Sequence, residues 1–143
     1  MSSTSTSTSL TLRALLKTAI GRVGLGVSSK PISGLTPAAK GFFTAAAAGR
    51  DAVVLIAPAD RDVDQLTSDT RFFLAALEGI SDTDAASAVL PFPSQEVDPY
   101  RGLAPHFDVA SARARALFAL SAGTARVVVT SAARTPATAS TSA

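Results

Sequence analysis

The segment Gly34-Leu-Thr-Pro-Ala-Ala39-Lys40-Gly41 carries the spacing of a phosphate loop, G-x-x-x-x-G-K-[ST], just before a stretch that can form a helix. In such a loop, backbone amides wrap a triphosphate, the lysine neutralises it, and the last hydroxyl holds magnesium. This segment departs from that chemistry twice. Ala39 stands where the second glycine is needed, and its methyl group opposes the backbone conformation that aims amides at phosphate. Gly41 stands where the hydroxyl is needed, and Pro37 removes one further amide donor. Ile32-Ser33 is also a poor preceding strand. Gly34, Ala39, Lys40 and Gly41 are therefore read as a degenerate phosphate loop with no bound cofactor, on an alanine-rich helix with Lys40 solvated. The alternative is a small phosphate-loop-like ATPase with an atypical loop.

No other group of residues makes a catalytic constellation, and no catalytic residue is assigned. His106 is the only histidine and cysteine is absent, which excludes two-histidine and thiolate metal sites together with a cysteine nucleophile. No serine sits in a G-x-S-x-G elbow. Asp98, His106 and Asp108 can pair as base and orienter, but they lie in or beside a proline-rich loop, where a single histidine is more often a structural hydrogen-bonding group. Asp60, Asp62, Asp64 and Asp69 match no calcium-loop spacing and read as the cap and solvated face of a helix.

The elements that must position these residues follow from apolar periodicity and turn signals. Residues 1–9 are nearly all Ser and Thr and are expected to be disordered. Leu12, Leu15, Leu16, Ala19 and Val23 recur at helical spacing, and residues rich in Gly and Ser then form a linker up to Pro31. Thr36 can cap a helix starting at Pro37 and running to Ala48 before Gly49. Ala52–Ala57 is apolar throughout and reads as a strand buried inside a parallel sheet. Asp60 offers a cap to a helix ending at Gly79. Ser87–Leu90 reads as a second strand cut by Pro91 and Pro93. An irregular stretch passes Pro99 and Pro105, and Asp108 caps a helix that Gly123 ends. Arg126–Thr130 is a third strand. This alternation predicts an α/β fold with an open, mostly parallel sheet between helical layers, an incomplete relative of phosphate-loop motor domains. The α/β domain is expected over residues 32–131 and a disordered tail over 132–143. A sheet stopping after its third strand leaves an edge exposed, so the chain is expected to be incomplete.

Composition bounds the remaining classes. A chain of 143 residues, 47% hydrophobic, has room for one domain of ordinary size, and much of its apolar content is alanine, so the core should be shallow. A net charge of +2 is too small to argue for nucleic-acid binding by itself. No acidic residue precedes Asp51, whereas Arg13, Lys17, Arg22, Lys30, Lys40 and Arg50 do. That basic, Ser/Thr-rich start also has the composition of an organelle transit peptide, but a frayed terminus leading into an amphipathic helix is the plainer reading. No apolar run approaches the ~20 residues that cross a bilayer. A cytoplasmic protein is expected.

The most distinctive stretch runs from Leu90 to Leu120: Pro99-Tyr100, Ala104-Pro105-His106, Asp108, Ser111, Arg113, Arg115, Leu117 and Leu120. It resembles the amino-terminal, UvrB-like module of bacterial transcription-repair coupling factors, whose pattern is P-Y, then S/A-P-H, D, and S-x-R-x-R-x-L-x-x-L before a β-rich strand. The resemblance covers about residues 32–133, with Gly34-Leu-Thr at that module's degenerate phosphate loop. It implies a fold shared with the damage-recognition component of the excision nuclease, stripped of ATP binding, that helps recruit a UvrA-type repair subunit in transcription-coupled nucleotide excision repair. Contacts with DNA and RNA polymerase are implied for the full-length family, whose ATP-driven translocase domain this chain lacks. Tyr100, Pro105 and His106 are then expected to fix the linker against the sheet. Arg113 and Arg115 point about 200° apart on a helix, so at least one is structural. Arg101, Arg113 or Arg115 can meet nucleic-acid phosphate, although an ion pair with a neighbouring carboxylate is the preferred use.

Overall fold

The computed structural model describes residues 11–23, 32–49, 52–95 and 106–132. The expected Ser/Thr-rich start, the glycine-rich linker and the tail beyond Ala132 lie outside the described residues. Helix α1 spans Leu12–Val23 and α2 spans Pro37–Ala47. Strand β1 (Val53–Ala57) follows, then a 3-10 turn (Asp60–Asp62) running into α3 (Val63–Glu78). Helix α4 (Asp82–Ala88) leads into β2 (Val89–Phe92), and α5 (Phe107–Ser121) precedes β3 (Val127–Ser131).

The three strands form one parallel sheet in the order β1-β3-β2. From β1 the chain crosses two positions to β2 through α3 and α4, then steps back one position to β3 through α5. Crossovers of one hand that run in opposite directions put their helices on opposite faces, which gives three layers. On one face Val89, Val127 and Val129 pack with Leu66, Leu74 and Leu77 of α3. On the other, Leu90 and Val128 meet Ala116 and Ala119 of α5. The alternation of valines along β3 serves both layers, because neighbouring residues point to opposite faces. The class is thus the expected α/β one. Helix α1 joins the first layer, with Leu16 and Ile20 against that core and Arg13 donating to the Leu77 carbonyl at 2.9 Å.

Three local readings are corrected. β1 is not buried inside the sheet: it is an edge strand with one face covered, leaving Val54 58% and Ile56 63% exposed. Helix α5 lies over β2, so it does not reach them. Second, β2 begins two residues later than expected and runs through Pro91, which an edge strand tolerates because its outward amide has no ladder partner to lose. Ser87 instead belongs to α4, whose N-cap Ser81 accepts from the Asp84 amide at 3.1 Å. Third, Asp60 does not cap α3: its side chain is drawn across the ends of the other two strands. No described helix is long and apolar enough to cross a membrane.

Candidate functional site

Open parallel sheets bind ligands at the carboxyl ends of their strands, and the degenerate loop lies at that edge. Thr36 caps α2 as expected, its hydroxyl accepting from the Ala39 amide at 3.2 Å, with Pro37 in the first turn. The lysine that follows is half-buried and borders a cleft of about 140 Å³ with Pro37, Pro58, Asp62, Gln65 and Leu66. That volume is less than half of the ~300 Å³ where small-molecule pockets begin. Its lining adds a carboxylate, Asp62, beside the one cation. Gly34 takes the left-handed conformation, φ 77°, and is exposed.

Gly41 has a role that the loop reading missed. It is buried where α2 crosses α3, and a Cβ there would lie 2.7 Å from Asp69 Cβ and 3.1 Å from the Asp69 carbonyl carbon and the Thr70 amide nitrogen. Position 41 is therefore the contact point between two helices, with no room for the hydroxyl that a magnesium site needs. The phenyl groups of Phe42 and Phe73 meet edge to face at 5.3 Å alongside. The signal was present in the sequence as a glycine inside an alanine-rich helix, which costs helix stability unless close packing requires it.

At the same edge, Asp60 gathers the strand ends. Its Oδ1 accepts from the Ser94 amide at 3.0 Å and from the Ser131 hydroxyl at 2.8 Å, linking the exits of β1, β2 and β3. Partial burial pushes the carboxyl pKa up, but the hydrogen bonds from Ser94 and Ser131 outweigh it and hold the group below its ordinary value. The other face of the β2 exit is held by Arg113, which donates to the Pro93 carbonyl at 2.8 Å and stacks 3.9 Å from the centre of the Phe92 ring. Arg113 is thus the structural member of its pair. Among the described residues its partners are a carbonyl and a ring, in place of the carboxylate expected. Arg115 is exposed on another side of α5.

His106 and Asp108 stand together, but as neighbours at one helix end. His106 is the N-cap, replacing the expected Asp108, and its Nδ1 lies 3.4 Å from the Asp108 amide and 3.3 Å from Oδ2. Both side chains are exposed. Ser111 is half-buried one turn along. Pro99, Tyr100, Arg101, Pro105 and Asp98 lie outside the described residues. Asp62 and Asp64 lie at the start of α3, whereas Asp69, expected on the solvated face, has its Cβ at the α2 crossing and accepts from Gln65 at 2.9 Å. Among the described residues no group of three His, Cys, Asp or Glu side chains is placed to hold a metal ion. Compared with protein-family models, curated proteins and solved structures, the chain finds no match.

Proposed function

We propose that this chain is the amino-terminal, noncatalytic module of a transcription-repair coupling factor, contributing to recruitment of the excision nuclease at stalled RNA polymerase. The observation that carries the noncatalytic part is Gly41. A hydroxyl at that position would collide with α3, so the segment that resembles a phosphate loop in spacing works as a helix-packing element. The small cleft beside Lys40, with Asp62 in its wall, supports the same reading. The family part rests on the motif from Pro99 to Leu120, of which Arg113 has a positioning task compatible with its place in the pattern: it fastens the end of β2. ATP-driven translocation, with DNA and RNA polymerase as partners, belongs to the full-length family in this reading.

A genetic measurement tests it. After ultraviolet damage, cells with this coding sequence disrupted should lose the excess of repair on transcribed over nontranscribed strands while keeping overall repair. An unchanged strand bias would sink the proposal.

A further inference from the structure

Helix α1 is attached to the molecule differently from the other described helices. None of its described side chains is fully buried, whereas α2, α3, α4 and α5 each place at least two residues in the interior. Its hold is a single flank on which Arg13, Leu16 and Ile20 recur at spacings of three and four. Leu16 and Ile20 pack, half-buried, against the core cluster that contains Leu74 and Leu77. The neighbouring flank leaves Leu12 51% and Leu15 50% exposed, so only part of the apolar stripe is used. With 12 residues, α1 is no longer than the ~12–15 at which an isolated helix becomes marginal in water. It keeps its shape only while docked.

The seat under α1 is the carboxyl end of α3. Arg13 Nε donates at 2.9 Å to the Leu77 carbonyl, one of the last-turn acceptors that a helix leaves without an internal partner. The same guanidinium lies over Gly79, where a Cβ would come within 3.0 Å of it, and Gly79 ends α3 in the left-handed conformation, φ 70°. Glu78 between them has its pKa lowered chiefly by the hydrogen bond from Arg126, and Arg13 adds a smaller attraction. Helix α1 carries Arg13, Lys17 and Arg22 and no acidic residue, and none occurs anywhere before Asp51. A wholly basic helix thus rests on the negative end of another helix, an attraction that salt screens.

We propose that α1 is a strap that opens and closes over the end of α3 as one unit, with Arg13 as its latch, while the sheet and the other helices stay folded. Closed, the strap caps the Leu77 carbonyl and covers apolar surface at the end of α3. Open, it unwinds and leaves both to solvent. Opening gives up half-buried contacts and one charged hydrogen bond, far less than global unfolding does. The inference rests on the contacts of α1 alone and does not depend on the coupling-factor reading. A failed exchange experiment leaves the strand-bias test unaffected, and the reverse holds too.

Hydrogen exchange of the whole chain, resolved by amide, tests it. Amides from Leu15 to Arg22 should be protected, yet exchange about a hundredfold or more faster than those of Val127–Val129. Low denaturant should leave the α1 rates nearly unchanged, because opening exposes little surface. Arg13→Ala and Leu16→Ser should each speed α1 exchange about tenfold, with β3 unaffected. Salt at about 1 M, which confines charge effects to ~3 Å, should speed α1 exchange in the natural chain and hardly at all in Arg13→Ala. Equal rates and equal denaturant dependence in α1 and β3 would overturn the proposal, as would α1 amides exchanging like an unfolded chain. Unchanged α1 exchange in Arg13→Ala would contradict the latch. Protection that grows with protein concentration would also overturn the proposal, since α1 would then close on a second copy.

Discussion

Position 41 has no space for a side chain, and this decides what the loop-like segment can do. Gly41→Ser would supply the missing hydroxyl of a phosphate loop, yet its Cβ would lie within 2.7 Å of Asp69 Cβ. The helices must separate, at a cost of about 1–3 kcal/mol that exceeds the few tenths gained in helix propensity. Thermal melting should fall by several degrees with no gain in nucleotide affinity. Arg126 is the second decisive residue. It donates to the Glu78 carboxylate and the Ala48 carbonyl, tying the ends of α3 and α2 to the start of β3. The hydrogen bond from Arg126 lowers the Glu78 pKa from its ordinary 4.5, against a smaller opposing effect of burial. A depressed carboxylate pKa stabilises the fold above the ordinary value, and that contribution is lost as pH falls through the folded-state value. Because both side chains are about a third exposed, solvent screening keeps the charge contribution within about 1 kcal/mol. Arg126→Met should lower stability at neutral pH and flatten the acid side of the stability curve in denaturant titrations. An unchanged acid limb would assign that pH dependence to other carboxylates, Asp60 first.

Among the elements, sequence periodicity identified α1, α2, α3, α5, β1 and β3 to within a residue or two, because each carries an apolar repeat or run closed by a glycine, proline or cap. Helix α4 escaped it. Its seven residues, Asp-Thr-Asp-Ala-Ala-Ser-Ala, have too little apolar content to show a period, and only the Ser81 to Asp84 capping pair marked its start. Whether β1 was central or at an edge was not legible at all, since burial of Val54 and Ile56 depends on a helix that covers β2 instead. Asp60 was legible as a polar residue before a helix but not as a tie between strands, because Ser94 and Ser131 are distant in sequence. Removing that tie with Asp60→Ala should leave the sheet formed and loosen its carboxyl edge, a loss of about 1–3 kcal/mol for bonds to a charged acceptor. Hydrogen exchange of the Ser94 amide should accelerate about tenfold or more, with exchange in Val127–Val129 much less affected. Uniform acceleration across β3 would mean that Asp60 acts on global stability instead.

At the scale of the whole molecule, two layers of helices enclose a three-stranded parallel sheet, an open α/β arrangement. The class of fold was readable from the alternation of elements. The role of position 41 was readable only in part: a glycine inside an alanine-rich helix marked it as unusual, while the reason for it, a helix crossing, needed three dimensions. The candidate site was less legible, since Arg113 serves the β2 exit through a carbonyl and a ring, partners that no sequence pattern encodes. Calorimetric titration of the chain with Mg-ATP at millimolar concentration tests the central claim most directly. No saturable heat, and the same flat trace for Lys40→Ala, is the expected result. Saturable binding that Lys40→Ala abolishes would contradict it.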